Sequence, residues 1–138
     1  MPGRSSSSYV RKWPNAREVD AAARRWAMAL ARSRPEVLEI GYFGSYARGD
    51  WGPGSDLDLV VIVASSPLPF ERRAAEIDAT NLPVPADLLV YTQQEWQALR
   101  KRSPHFARTL RREIVWLFHR PATRKPDTGP DTVPGCYS

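Results

Sequence analysis

The run Gly41-Tyr42-Phe43-Gly44-Ser45-Tyr46-Ala47-Arg48-Gly49-Asp50-Trp51-Gly52-Pro53-Gly54-Ser55-Asp56-Leu57-Asp58-Leu59-Val60 decides how the chain is read. It opens on apolar residues that end at a Gly-Ser turn, crosses a Gly/Pro-rich loop, and closes with two aspartates alternating with aliphatics. In an extended strand, residues two apart face one side about 6.6 Å from each other, so Asp56 and Asp58 project together while Leu57 and Leu59 turn inward. Packing gives no reason for two like charges at that place. Carboxylates so close repel unless a cation lies between them, and Mg²⁺ favours hard oxygen ligands of this kind together with phosphate oxygens.

The turn before them has complementary chemistry. A short helical segment is expected from Tyr46 to Gly49, and backbone N–H groups at a helix start are unpaired and carry the positive end of the peptide dipoles. A triphosphate suits such a place: Gly44 lets the backbone approach closely, Ser45 offers a hydroxyl, and Arg48 stands one turn on. Arg48 has two readings, a phosphate contact or a salt bridge to Asp50 or Glu39. Ser55 is expected to cap or orient the turn that delivers Asp56, and is placed with Gly44, Ser45 and Arg48 as a nucleotide-binding residue.

These residues carry a resemblance. A Gly-Ser pair, ten intervening residues and then Asp-x-Asp resembles the polymerase-β-like nucleotidyltransferases, matched here by Gly44, Ser45, Asp56 and Asp58. The Ala-Arg-Gly after the Gly-Ser and the Ser-Asp-x-Asp-Leu ending look like the minimal nucleotidyltransferases, often paired with a helical HEPN protein as antitoxin and toxin. That family completes its site with a third aspartate on a later strand, and Asp87 in the β-prone run Ala86–Tyr91 is the matching position. The resemblance spans roughly residues 16 to 118. It implies an α/β (α+β) fold of the polymerase-β-like nucleotidyltransferase kind, with a small mixed central sheet flanked by helices. It also implies transfer of a nucleoside monophosphate, usually AMP from ATP, in a reaction of the two-metal type. Asp56 and Asp58 would hold the triphosphate's Mg²⁺, and with Asp87 a second ion, Mn²⁺ being the alternative metal. The acceptor so implied is a tyrosine hydroxyl of a HEPN-type partner. Two other readings stand beside it: a binding module that neutralises its partner by contact, and transfer to a small molecule such as an aminoglycoside. The last usually requires an extra helical acceptor domain, for which 138 residues leave no room.

Charge is unevenly spread along the chain. Residues 1–35 hold eight basic and two acidic side chains, residues 92–120 seven and two, and residues 36–91 three and nine. An acidic centre suited to metal is flanked by segments that can attract triphosphate, nucleic acid or an acidic partner. Most of these arginines read as solvated helix faces, which argues against direct nucleic-acid binding. Seventeen of the 20 basic residues are Arg, a bias that genomic base composition alone can produce. The single Cys136 allows neither an intramolecular disulfide nor a thiolate metal site, and a reducing, cytoplasmic setting is expected. No apolar stretch approaches the ~20 residues that span a bilayer.

The rest of the chain follows from periodicity. Residues 1–15 read as a flexible arm, residues 16–119 as the nucleotidyltransferase domain, and the proline-rich residues 120–138 as a disordered tail. Val19, Ala22, Ala23, Trp26, Ala27 and Leu30 recur at helical spacing from Ala16 to about Ser33, with Asn15 able to cap them. Val37–Phe43 and Leu57–Val63 read as strands, the second buried on both faces. A helix is expected over 70–79, a third strand from Ala86, a helix over 93–102, and a last helix from Pro104 to about His119 carrying Phe106, Leu110, Ile114, Leu117 and Phe118. Tyr46, Trp51 and Tyr91 either stack on a base or pack. His105 and His119 read as surface residues.

Overall fold

The computed structural model describes residues 13–121. Helix α1, Ala16–Ser33, begins where Asn15 accepts the Glu18 N–H and Glu18 returns the contact to the Asn15 N–H, a reciprocal cap that satisfies two otherwise unpaired donors. It is followed by strand β1, Val37–Phe43, the short helix α2, Ser45–Arg48, and strand β2, Leu57–Val63. Helix α3, Phe70–Arg73, runs into a single 3₁₀ turn, Ala74–Glu76, before strand β3, Ala86–Thr92. Helices α4, Gln93–Arg102, and α5, Pro104–Glu113, precede the last strand, β4, Val115–His119.

The four strands form one mixed sheet in the order β3-β2-β1-β4. β2 lies parallel to β3 and antiparallel to β1, which pairs antiparallel with β4. Strand alternation then divides the core. Leu57, Leu59, Val61 and Val63 join the cluster built on the α1 residues Val19, Ala23, Trp26, Ala27 and Leu30. Val60 and Ile62 turn to the other face and meet Trp96 of α4, Leu110 of α5, and Ile114 just past its end. The expected architecture of a small mixed sheet with helices on its faces is what forms. Asp58, two residues before Val60, belongs to the α4–α5 face.

Gly41 is the contact that lets the second layer close. A β-carbon there would lie 2.7 Å from Ile114 Cγ2 and 2.9 Å from the Trp116 ring, so any larger residue on β1 would push the α5–β4 corner off the sheet.

Two elements differ from the periodicity reading. The last helix stops at Glu113 rather than continuing to His119: Ile114 turns to φ −61°, ψ 133°, and Val115–His119 adds to the open edge of β1. Val115, Trp116 and Phe118 are β-branched or aromatic, and strand pairing satisfies backbone groups that another helical turn would have satisfied equally, so tertiary pairing decides. The helix expected over 70–79 is also shorter. Arg73 is drawn inward, donating from Nε to Leu68 O at 2.8 Å and from Nη1 to Val90 O at 3.1 Å, and the chain is extended again by Ile77.

Most of the expected arm and tail lies outside the described residues. Trp13, at the arm's end, donates from Nε1 to the Tyr46 hydroxyl at 2.9 Å. Arg120, at the tail's start, donates to Val37 O at 2.8 Å and to Ala31 O at 2.9 Å, the latter a terminal carbonyl of α1. Among the described residues no helix is long and apolar enough to cross a membrane.

Candidate active site

A cleft of about 500 Å³ opens over the ends of β1 and β2, lined by Gly44, Ser45, Arg48, Asp56 and Asp58 from the sheet side and by Phe106, Thr109, Leu110 and Glu113 from α5. Five of the seven expected site residues therefore meet in one place. Leu57 and Leu59 are fully buried, and the strand alternation they fix sends Asp58, and Asp56 just ahead of the strand, to the cleft face. Asp58 is half-buried and pairs in register with Phe43 on β1 and with Asp87 on β3.

Burial raises the Asp58 carboxyl above its ordinary value, and the charges of Asp87 and Asp56 raise it further. The charges of all three aspartates thus meet at Asp58. The three side chains are not drawn together into a ligand shell: among the described residues no group of three or more His, Cys, Asp or Glu side chains is gathered closely enough to hold a metal ion. Asp87 is exposed at the head of β3 and does not line the cleft.

Gly44 links the turn to the carboxylates. It has φ +81°, and a β-carbon on it would overlap the Asp58 Oδ2 atom. Only glycine combines that backbone with so close an approach. Its N–H is taken by Glu113, whose Oε2 accepts it at 2.6 Å. Arg48 lines the cleft and makes the ion pair expected with Asp50, at 3.1 Å, and a further one with Glu113 at 3.3 Å; among the described residues it forms none with Glu39. The Ser55 hydroxyl accepts the Gly52 N–H at 2.9 Å, so it shapes the loop leading to Asp56 and does not line the cleft.

The aromatics expected to stack or pack do pack. Tyr46 is buried and stacks on Trp51, with ring centroids 5.5 Å apart and planes 12° off parallel. Tyr91 sits between Phe70 and Trp96. His105 and His119 are exposed, His119 pairing with Glu39 at 2.7 Å. Phe43, Phe106, Thr109, Leu110 and Glu113 line the cleft without being among the expected site residues. Phe106, half-exposed, was assigned to the core stripe. Glu113 is the only acid between Glu95 and Pro121, at the end of a stretch holding six cations, an isolation visible in the sequence although its partner Gly44 is not.

The family profile described as "Nucleotidyltransferase domain" matches residues 25–122, and the chain belongs to that family. A Sulfolobus solfataricus protein provisionally assigned as a nucleotidyltransferase superposes with TM-score 0.55 at 20% identity, covering 76% of this chain and 84% of that one, a likeness of fold. A toxin–antitoxin structure with AMP-PNP gives TM-score 0.49 at 23% identity, over 70% of this chain and 73% of that one. No protein of curated function matches the chain significantly.

Proposed function

We propose that this nucleotidyltransferase-family protein transfers AMP from ATP to a tyrosine hydroxyl of a HEPN-type toxin partner and thereby acts as its antitoxin. The observation that carries the enzymatic part is the convergence, in one cleft, of the Gly44-Ser45 turn and Arg48 with Asp56 and Asp58, and with Asp87 opposite Asp58 in register. The Gly44 and Ser45 groups and Arg48 bind the triphosphate. Asp56 and Asp58, with Asp87 beside Asp58 in strand register, would hold Mg²⁺ or Mn²⁺, which would supply neutralisation of phosphate charge and a lowered pKa at the acceptor hydroxyl. The bond formed joins the acceptor oxygen to the α-phosphorus, the α–β bridging bond breaks, and pyrophosphate leaves. The tyrosine acceptor and the HEPN partner rest on the resemblance of the Gly-Ser and Ser-Asp-x-Asp-Leu signatures.

One observation favours the alternative of a binding module acting by contact: the three aspartates are not gathered as a ligand set, and Asp87 stands outside the cleft lining. Incubation with α-labelled ATP, Mg²⁺ and the adjacent gene's product separates the readings. Label on a tyrosine of that product, lost with Asp87→Asn, is expected. A partner bound and neutralised equally well by the Asp87→Asn protein, with no label transferred, would establish the contact reading instead.

A further inference from the structure

Glu113 ends α5 with its carboxylate on two groups proposed to bind phosphate, the Gly44 N–H and the Arg48 guanidinium. Its Oε2 accepts the Gly44 N–H at 2.6 Å and lies 3.3 Å from Arg48 Nη1, and the side chain is only 18% exposed. Amide and guanidinium N–H groups are donors only, so a carboxylate oxygen and a phosphate oxygen compete for them directly. The two anions cannot both take the Gly44 N–H, which has a single hydrogen. A third carboxylate in a cleft that already contains Asp56 and Asp58 also repels an incoming triphosphate. Anchoring α5 to the sheet would not need a charge here, because a neutral amide at the same position can accept the same N–H.

We propose that Glu113 is an internal stand-in for phosphate: in the free protein its carboxylate holds Gly44 and Arg48 in the arrangement a triphosphate requires, and nucleotide binding displaces it. This rests on the nucleotide reading of the cleft. It adds a residue that sets nucleotide affinity, a fold feature that keeps the phosphate donors satisfied while the cleft awaits a ligand, and a link from ligand to the end of α5.

The test is titration of the full chain and of Glu113→Gln with AMP-PNP and Mg²⁺. Glutamine keeps an acceptor for Gly44 but removes the charge that repels phosphate and binds Arg48, so the variant should bind about tenfold more tightly, the scale of one charge-assisted hydrogen bond. Equal or weaker binding by the variant, with the wild type binding, would overturn the stand-in role and leave the nucleotide reading intact. No binding by either protein would overturn both. A second measurement uses the wild type alone. In amide NMR spectra the Gly44 signal should shift when Mg²⁺ and AMP-PNP are added, because its acceptor changes from carboxylate to phosphate. A Gly44 signal that stays in place while those of Ser45 and Asp56 move would also overturn the proposal.

Discussion

The α-carbon of Gly44 stands against the carboxylate of Asp58, so close that a β-carbon would overlap Oδ2. The turn and the first metal-suited strand are therefore one unit, fixed by a single hydrogen atom where other residues have a side chain. Gly44→Ala forces either the φ +81° backbone or Asp58 to move. It should cost about 1–2 kcal/mol in stability from the left-handed conformation alone and abolish AMP-PNP binding. Urea denaturation and titration on the same protein check it. Nucleotide affinity retained in Gly44→Ala would show that the turn does not touch phosphate. Ser45→Ala, losing one hydroxyl contact, should weaken binding by only about 1 kcal/mol.

The paired carboxylates predict an opposite balance of stability and binding. Burial and the charges of Asp87 and Asp56 raise the Asp58 carboxyl, so ionised Asp58 is held at a cost in the metal-free fold. Asp56→Asn with Asp58→Asn should leave the fold as stable or more so while removing divalent-dependent ATP binding. Calorimetric titration with and without Mg²⁺, beside a thermal melt, measures both. A double variant that binds ATP as the parent does would sink the assignment of these residues.

Arg73 carries a separate prediction about the fold. Its buried guanidinium makes a two-pronged contact with Glu95, Nη1 to Oε1 at 2.5 Å and Nη2 to Oε2 at 3.0 Å, and Glu95 also completes the cap of α4 with Thr92. The Arg73 hydrogen bond holds the Glu95 carboxyl below its usual range. Glu95→Ala strands a buried cation and opens a helix cap, and should destabilise by about 2–4 kcal/mol without altering nucleotide affinity. Chemical denaturation measures the loss; a change under about 0.5 kcal/mol would mean solvent replaces the carboxylate.

Most of the scaffold was legible because its signals were local. Asn15 and Glu18 marked the start of α1, and Leu57–Val63 announced a strand covered on both faces by being aliphatic at every other position and beyond. The Gly-Ser turn and the Asp-x-Asp spacing by themselves mark Gly44, Asp56 and Asp58 as one candidate site. What stayed hidden depends on distant partners. Residues 114–118 are apolar at both helical and strand spacing, and only the vacant edge of β1 selects the strand. Glu113 meets Gly44 across 69 positions of sequence, so nothing near either residue announces the contact. Asp87 is legible as a candidate through the family resemblance, but its pairing with Asp58 is a matter of strand register, which the composition of Ala86–Tyr91 does not encode.

The last prediction concerns pH and the seam between α1 and β1. Tyr42 is buried and donates its hydroxyl to Asp20 Oδ1 at 2.8 Å, while Arg24 Nε donates to the other oxygen at 2.7 Å. Burial first, then the hydrogen bond and charge of Asp20, push the Tyr42 hydroxyl from 10.0 up to about 12. An acid with a folded pKa above its unfolded one keeps its proton longer in the fold. Between those two values the unfolded chain binds fewer protons than the folded one, so stability falls as pH rises. The contribution is complete below pH 10 and lost by about pH 12. Tyr42→Phe has no proton to lose there. It should cost about 1 kcal/mol near neutral pH, where Asp20 loses a donor, yet show a flatter decline through the alkaline window. Urea unfolding of both proteins near neutral pH and within that window tests the difference. Parallel declines would mean that Tyr42 ionises as readily in the fold as in the unfolded chain, and that the Asp20 contact does not hold its proton.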